Sequence, residues 1–255
     1  MRLEELSSDD SRLSFFLNLY NVLVIHGKIA RRGTAPSRTK SSFFQQTSYV
    51  VGGAVYSLDD IEHGILRGNR PHPTLFVNPV STFRGTYFGP EGSDPRARLA
   101  LGKLDPRIHF ALVCGAKGCP PIKVFSAANV QSALDIATTA FLEDDNNLCI
   151  QLFPGPVRDA RPKVGLSKIF SWYAKDFGPT QHSVLRFCAR YAGTARREQL
   201  DAILSGGALP RVYYIECVSR RLCPPRGQMF REHGTHKMHT HARPNRYNWD
   251  LNDVH

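Results

Sequence analysis

At 255 residues and 42% hydrophobic composition the chain can bury the core of one large domain, which excludes wholesale disorder. Six cysteines are too sparse for a disulfide scaffold at this length, so they are expected as thiols of a reducing, cytoplasmic compartment; the opening Met1-Arg2-Leu3-Glu4-Glu5 is not a secretory signal, and no apolar run approaches the ~20 residues of a bilayer-spanning helix. The net charge of +11 disfavours a nucleic-acid role by its distribution, because +6 of it falls between Cys217 and Arg246.

In chain order, Leu13 to Ile25 is apolar nearly all round, which predicts a helix packed on several sides and closed at His26-Gly27. Asn18 and Asn21 interrupt it three residues apart, on one face, and buried amides there must find partners. Lys28 to Ser42 reads as a loop and Ser48 to Val51 as a short strand. Ser57-Leu58-Asp59-Asp60 resembles a capping box that opens a helix running to Gly68. Residues 69 to 104 are rich in turn formers, and Arg107 to Cys114 predicts a buried strand ending in a Gly-rich turn. Helices are expected over Asn129 to Phe141, within Val164 to Phe177 and over Val184 to Tyr191, with a strand at Val212 to Ile215. The segment 217 to 246 has neither period and is basic and His-rich, as an insert or retained non-coding sequence would be.

Phe15 to Asn21, His26, Gly52-Gly53, Ser57 to Arg67, Asp105 to Lys117, Cys119-Pro120-Pro121 and Leu166 to Gly178 together resemble the landmarks of the family named domain of unknown function 547, DUF547. The resemblance runs from about 13 to 215, and Tyr247 to Asn252 is similar to the family's closing block, displaced by residues 217 to 246. It implies a domain over 1–216, an insert over 217–246 and a displaced terminal strand block over 247–255. The expected class is α/β in the α+β sense, a single domain with several helices around a small buried sheet, of papain-like or transglutaminase-like type. Relatives joined to glutaredoxin-like or DEP-like modules are known in the family, and no such module is visible in this sequence.

Cys114, at the predicted strand end before Gly115-Ala116, suits a nucleophile whose oxyanion is held by backbone N–H groups; a buried small hydrophobe is the plain alternative. His109, five extended residues away with opposite parity, could not reach it along a straight strand; it serves as the base only if the strand ends early, or pairs instead with Cys119 after the turn, and His63 and His26 are the other candidates. Glu62 and His63 should diverge by about 100° on a helix, one facing the core and the other solvent. Glu62 is then either the orienter of a distant histidine, in a Cys-His-Glu site, or the partner of Arg67 or Arg107 in an ion pair.

The leading expectation is a thiol-dependent hydrolase or acyl-transferase acting on a protein or peptide, without cofactor or metal. A second is a non-catalytic scaffold in which Asn18, Asn21, His26 and His109 form one buried polar network. A third is thiol redox chemistry through Cys114 and Cys119, whose spacing departs from the two-residue gap of thioredoxin-like motifs. Metal-ligand spacing is weak at Cys114 and Cys119, and the cluster of His233, His236, His239 and His241 lies in the insert-like segment; Gly52-Gly53 is too short for a phosphate loop.

Overall fold

The computed structural model describes residues 3–31, 41–73, 85–113, 121–152, 161–206 and 210–215. Within them the chain is an α+β assembly with two small sheets and two hydrophobic clusters that meet around residues 108 to 112. The segment 217–246 and the block 247–255 lie outside the described residues.

Helix α1 (Asp9–Ala30) opens at a reciprocal cap, Ser8 accepting from the Ser11 amide and Ser11 from the Ser8 amide, with Asp9 and Asp10 at the positive end of the helix dipole. Leu13, Phe16, Leu17, Tyr20, Leu23 and Val24 recur at helical spacing and are buried. Each such side chain removed from water stabilises the fold by about 1.5 to 3 kcal/mol. The all-round burial expected of this helix is corrected: Val22, Ile25 and Ile29 face outward, so it packs on one broad face. By length and composition alone it could also cross a membrane, at a mean hydropathy of 1.3. Nor does Gly27 end it. A Cβ there would meet the Thr47 side chain at 2.4 Å, so the glycine lets the last turn approach the chain leading into β1.

The short helix α2 (Ser41–Gln46) leads to the hairpin β1 (Ser48–Val51) and β2 (Ala54–Ser57), paired antiparallel with Val50 opposite Val55. Gly52 and Gly53 have φ of 58° and 83°, as a two-residue hairpin turn with matching twist requires. That geometry accounts for both glycines without a ligand.

Ser57 and Asp60 cap each other as predicted, but the helix they open, Asp60–Leu66, is a π-helix whose Arg67 amide donates to the Glu62 carbonyl at 2.8 Å. Gly64 is part of the reason for its position. The Phe88 ring sits where a Cβ would be, 2.2 Å from its Cζ.

The predicted strand over 107 to 114 is corrected within its described part, 107–113: Pro106–Phe110 is a 3-10 helix, followed by a turn at Ala111. Asp105 caps the Arg107 amide and Pro106 occupies the first helical position, local signals that outweigh the apolar run. This short helix carries Ile108 into the first cluster and Phe110 into the second.

Helix α3 (Val130–Glu143) follows, then the sheet β3 (Leu148–Gln151), β4 (Lys163–Ser167) and β5 (Arg211–Ile215), in which β4 is antiparallel to β3 and parallel to β5. The expected helical segment from Val164 therefore begins as β4 and becomes helical at α4 (Ile169–Trp172) and α5 (Ala174–Phe177). Helices α6 (Gln181–Tyr191) and α7 (Thr194–Ser205) pack beside the sheet. Cys149 on β3 is disulfide-bonded, which corrects the expectation of thiols throughout, whereas Cys188 on α6 is a buried free thiol raised far above its usual pKa by burial.

Candidate functional site

Where the two clusters meet, the π-helix, the 3-10 helix and α5 bring together charged side chains from three stretches of sequence. Arg67 forks onto Asp176, Nε to Oδ2 at 2.7 Å and Nη2 to Oδ1 at 2.9 Å. His109 reaches the same carboxylate, Nε2 to Oδ2 at 2.9 Å. The side chains of His109 and Asp176 are 2% and 0% exposed. Burial alone would raise the Asp176 carboxyl, but hydrogen bonds from His109 and Arg67 and the Arg67 charge hold it well below the usual carboxylate range. Arg70, half exposed, adds a second guanidinium 3.6 Å away.

An ionised Asp176 can only accept, so His109 Nε2 carries the proton of this hydrogen bond and Nδ1 is the ring nitrogen turned away from the carboxylate. The ring lies against Tyr173, centroids 4.0 Å apart at 31°, and against Phe177. Such packing locks its orientation.

Glu62 and His63 are both buried, which corrects the expected split between core and solvent. The wider π-helical turn and its enclosure by the chain around Phe88 bury the whole segment from Ile61 to Leu66. Glu62 accepts from the Tyr20 hydroxyl at 3.2 Å and, in a short bond, from the Tyr173 hydroxyl. Burial would raise its carboxyl, but His63, the Tyr173 hydroxyl, His109 and Arg67 reverse that and leave it lowered. Neither expected arginine pairs with it: Arg67 is committed to Asp176, and Arg107 forks onto Asp105 and reaches Asp135. The carboxylate that hydrogen-bonds His109 is Asp176, not Glu62.

His63 Nδ1 accepts from Arg67 Nη1 at 3.0 Å, and its Nε2 faces Asp59 Oδ1 at 4.0 Å. Burial pushes its pKa down to about 3. Asp59 is raised to about 7 by burial and by the neighbouring Glu62 and Asp60. His72 stacks edge-on against His63, centroids 4.2 Å apart.

The two asparagines of α1 do separate work. Asn21 donates to the Ala111 carbonyl at 3.1 Å and accepts from the Val113 amide at 2.9 Å; Asn18 does the same to the carbonyl and amide of Phe125, at 2.7 and 2.9 Å. Each amide mimics a strand partner, and together they grip the chain before and after residues 114 to 120. His26 stands apart, exposed and bonded to the Tyr49 hydroxyl. The single network of Asn18, Asn21, His26 and His109 is therefore corrected: among the described residues the four serve four separate contacts, with Phe125, with Ala111 and Val113, with Tyr49 and with Asp176, and the helix places His26 beyond the buried face.

Cys114 and Cys119 lie outside the described residues, as do the histidines from 233 to 241. Sequence reasoning missed Asp176, Tyr173 and His72 as site residues; it read Arg67 only as a possible partner of Glu62, and Asp59 only as part of a helix cap. A cleft of about 400 Å3 beside Asp10, Lys103, Arg107 and Tyr191 contains none of Glu62, His63, His109 or Asp176.

These features define an α+β domain with a buried His-Asp-Arg constellation at the junction of its two clusters. A family profile described as "Protein of unknown function, DUF547" matches residues 3–142, and the chain belongs to that family. No curated protein and no solved structure matches it.

Proposed function

We propose that the domain is a thiol-dependent hydrolase or acyl-transferase acting on a carbonyl of a protein or peptide, with Cys114 as nucleophile, His109 as base and Asp176 as the orienting carboxylate. The observation that supports this reading is the buried His109–Asp176 hydrogen bond of 2.9 Å, five residues before Cys114 in the chain. In this scheme His109 Nδ1 takes the thiol proton, sulfur bonds to the carbonyl carbon, and the leaving group departs with that proton. Water or a second nucleophile then releases the acyl group. Arg67 keeps Asp176 ionised throughout.

Burial favours a second reading, a non-catalytic module, because a histidine 2% exposed against a carboxylate 0% exposed also serves as a tie between elements. Site-resolved iodoacetamide labelling of Cys114 across pH separates the two. The hydrolase reading expects a thiol pKa well below the ~8.5 of free cysteine, rising towards it in His109→Ala and Asp176→Asn. Buried Cys188 should stay unlabelled and report that the protein remains folded. An unperturbed Cys114 in folded protein would sink the catalytic reading.

A further inference from the structure

We propose that Asp59, His63 and His72 bind a divalent transition-metal ion of the zinc type through one carboxylate oxygen and two imidazole nitrogens. One donor atom from each lies within 4.8 Å of the other two. The centre of a triangle with sides of that length is about 2.8 Å from each corner, so a contraction of roughly 0.7 Å per side chain reaches the ~2.1 Å of zinc–nitrogen and zinc–oxygen bonds. The π-helix supplies two of the donors: Asp59 stands at its start and His63 four residues on, with Oδ1 and Nε2 facing one another at 4.0 Å. His72 comes from the chain that turns back after Gly68 and Asn69, both at positive φ. Two imidazoles and a carboxylate form a donor set that zinc and its neighbours favour, and three protein ligands leave a position for an exogenous molecule.

The surroundings ask for a cation at this point. The Asp59 side chain is 9% exposed and accepts no hydrogen bond from the described residues, its nearest partner being His63. The other acids of the region are satisfied: Asp60 by Ser57 and Arg96, Glu62 by two tyrosines, Asp176 by Arg67 and His109. A buried carboxyl without donors either keeps its proton or, when ionised, calls for a counter-charge, which a metal ion would supply. Arg67 does not supply it, since its guanidinium is directed at Asp176, His63 Nδ1 and the Pro71 carbonyl. Metal at Nε2 moves the His63 ring proton to Nδ1. The Arg67 contact there must then open, while Nη1 keeps the Pro71 carbonyl. That rearrangement makes the site weaker than a purely structural zinc centre, and it leaves His109 and Cys114 uninvolved.

The test uses the full chain with His233, His236, His239 and His241 changed to Gln, so that the His-rich segment cannot capture the ion. Zinc is titrated calorimetrically and Co2+ by visible absorption, each metal alone. The expected result is one saturable site whose affinity falls roughly tenfold or more in His72→Ala and in the isosteric Asp59→Asn, with a Co2+ spectrum lacking thiolate charge-transfer bands. His72 is half-buried, so its removal tests the site without hollowing the core. Absence of saturable binding, equal binding by both folded variants, or a thiolate band would overturn the proposal.

Discussion

Arg67 Nε and Asp176 Oδ2 meet at 2.7 Å across 109 residues of sequence, and this pair ties the π-helix to α5 with His109 held between them. Replacing Arg67 by Met strands a buried carboxylate, and replacing Asp176 by Asn strands a buried guanidinium. Each should destabilise the fold by about 3 to 5 kcal/mol, with the double variant less damaged than the sum. Urea unfolding of the four proteins measures the coupling; additive losses would show that the pair does not act as a unit.

Asp176 also sets an acid limit. Its folded-state pKa is below its unfolded value of 3.8, so its contribution is present above that value and is lost as the pH falls through the folded-state pKa. Asp176→Asn should therefore show a shallower loss of stability below about pH 4 than the parent protein.

At milder pH, Asp59 and His63 oppose one another. The folded protein holds the Asp59 proton between 3.8 and about 7, so this group lowers stability as the pH rises through that window. The unfolded chain holds the His63 proton between about 3 and 6.5 where the folded protein does not, so this group raises stability with pH. Metal-free Asp59→Asn should lose the first effect and show stability climbing more steeply from pH 4 to 6.5 than the parent. Identical slopes in denaturant titrations would contradict the buried placement of both groups.

Asn21 is 1% exposed and satisfies two backbone groups; Asn18 satisfies two more in a less buried place. Asn21→Ala should be the more damaging change, since each buried group left without a partner costs about 1 to 3 kcal/mol. Hydrogen exchange should report the loss locally, at the Val113 amide in Asn21→Ala and at the Phe125 amide in Asn18→Ala.

Gly64→Ala sets two effects against each other. Alanine gains about 1 kcal/mol in helix propensity, but its Cβ falls 2.2 Å from Phe88 Cζ, and overpacking of that kind costs roughly 1 to 3 kcal/mol. Net destabilisation is expected, and pairing with Phe88→Leu should recover part of it in thermal melts.

The elements legible in the sequence were those written in local chemistry: the Ser57–Asp60 cap, the existence of helix α1 though not which of its faces is buried, the strand at Ser48, and the amphipathic spacing of α6. The family landmarks were legible for the same reason, being contiguous runs of residues. The error over 107 to 114 arose because an apolar run of that length has no period that separates a strand from a buried turn, and Asp105-Pro106 decided the matter locally. The site was legible only in part. Glu62, His63 and His109 stood out as ionisable residues in apolar runs, but their pairing did not, since Asp176 and Tyr173 approach from elements up to 111 residues away and Arg67, expected for Glu62, goes to Asp176 instead. Composition and local pattern determined that this chain buries polar groups in a mixed α+β core. Tertiary packing alone decided that Asp176 takes His109, that Glu62 goes to two tyrosines, and that Asp59 is left facing two histidines, because buried charges are assigned by proximity in space and not by spacing along the chain.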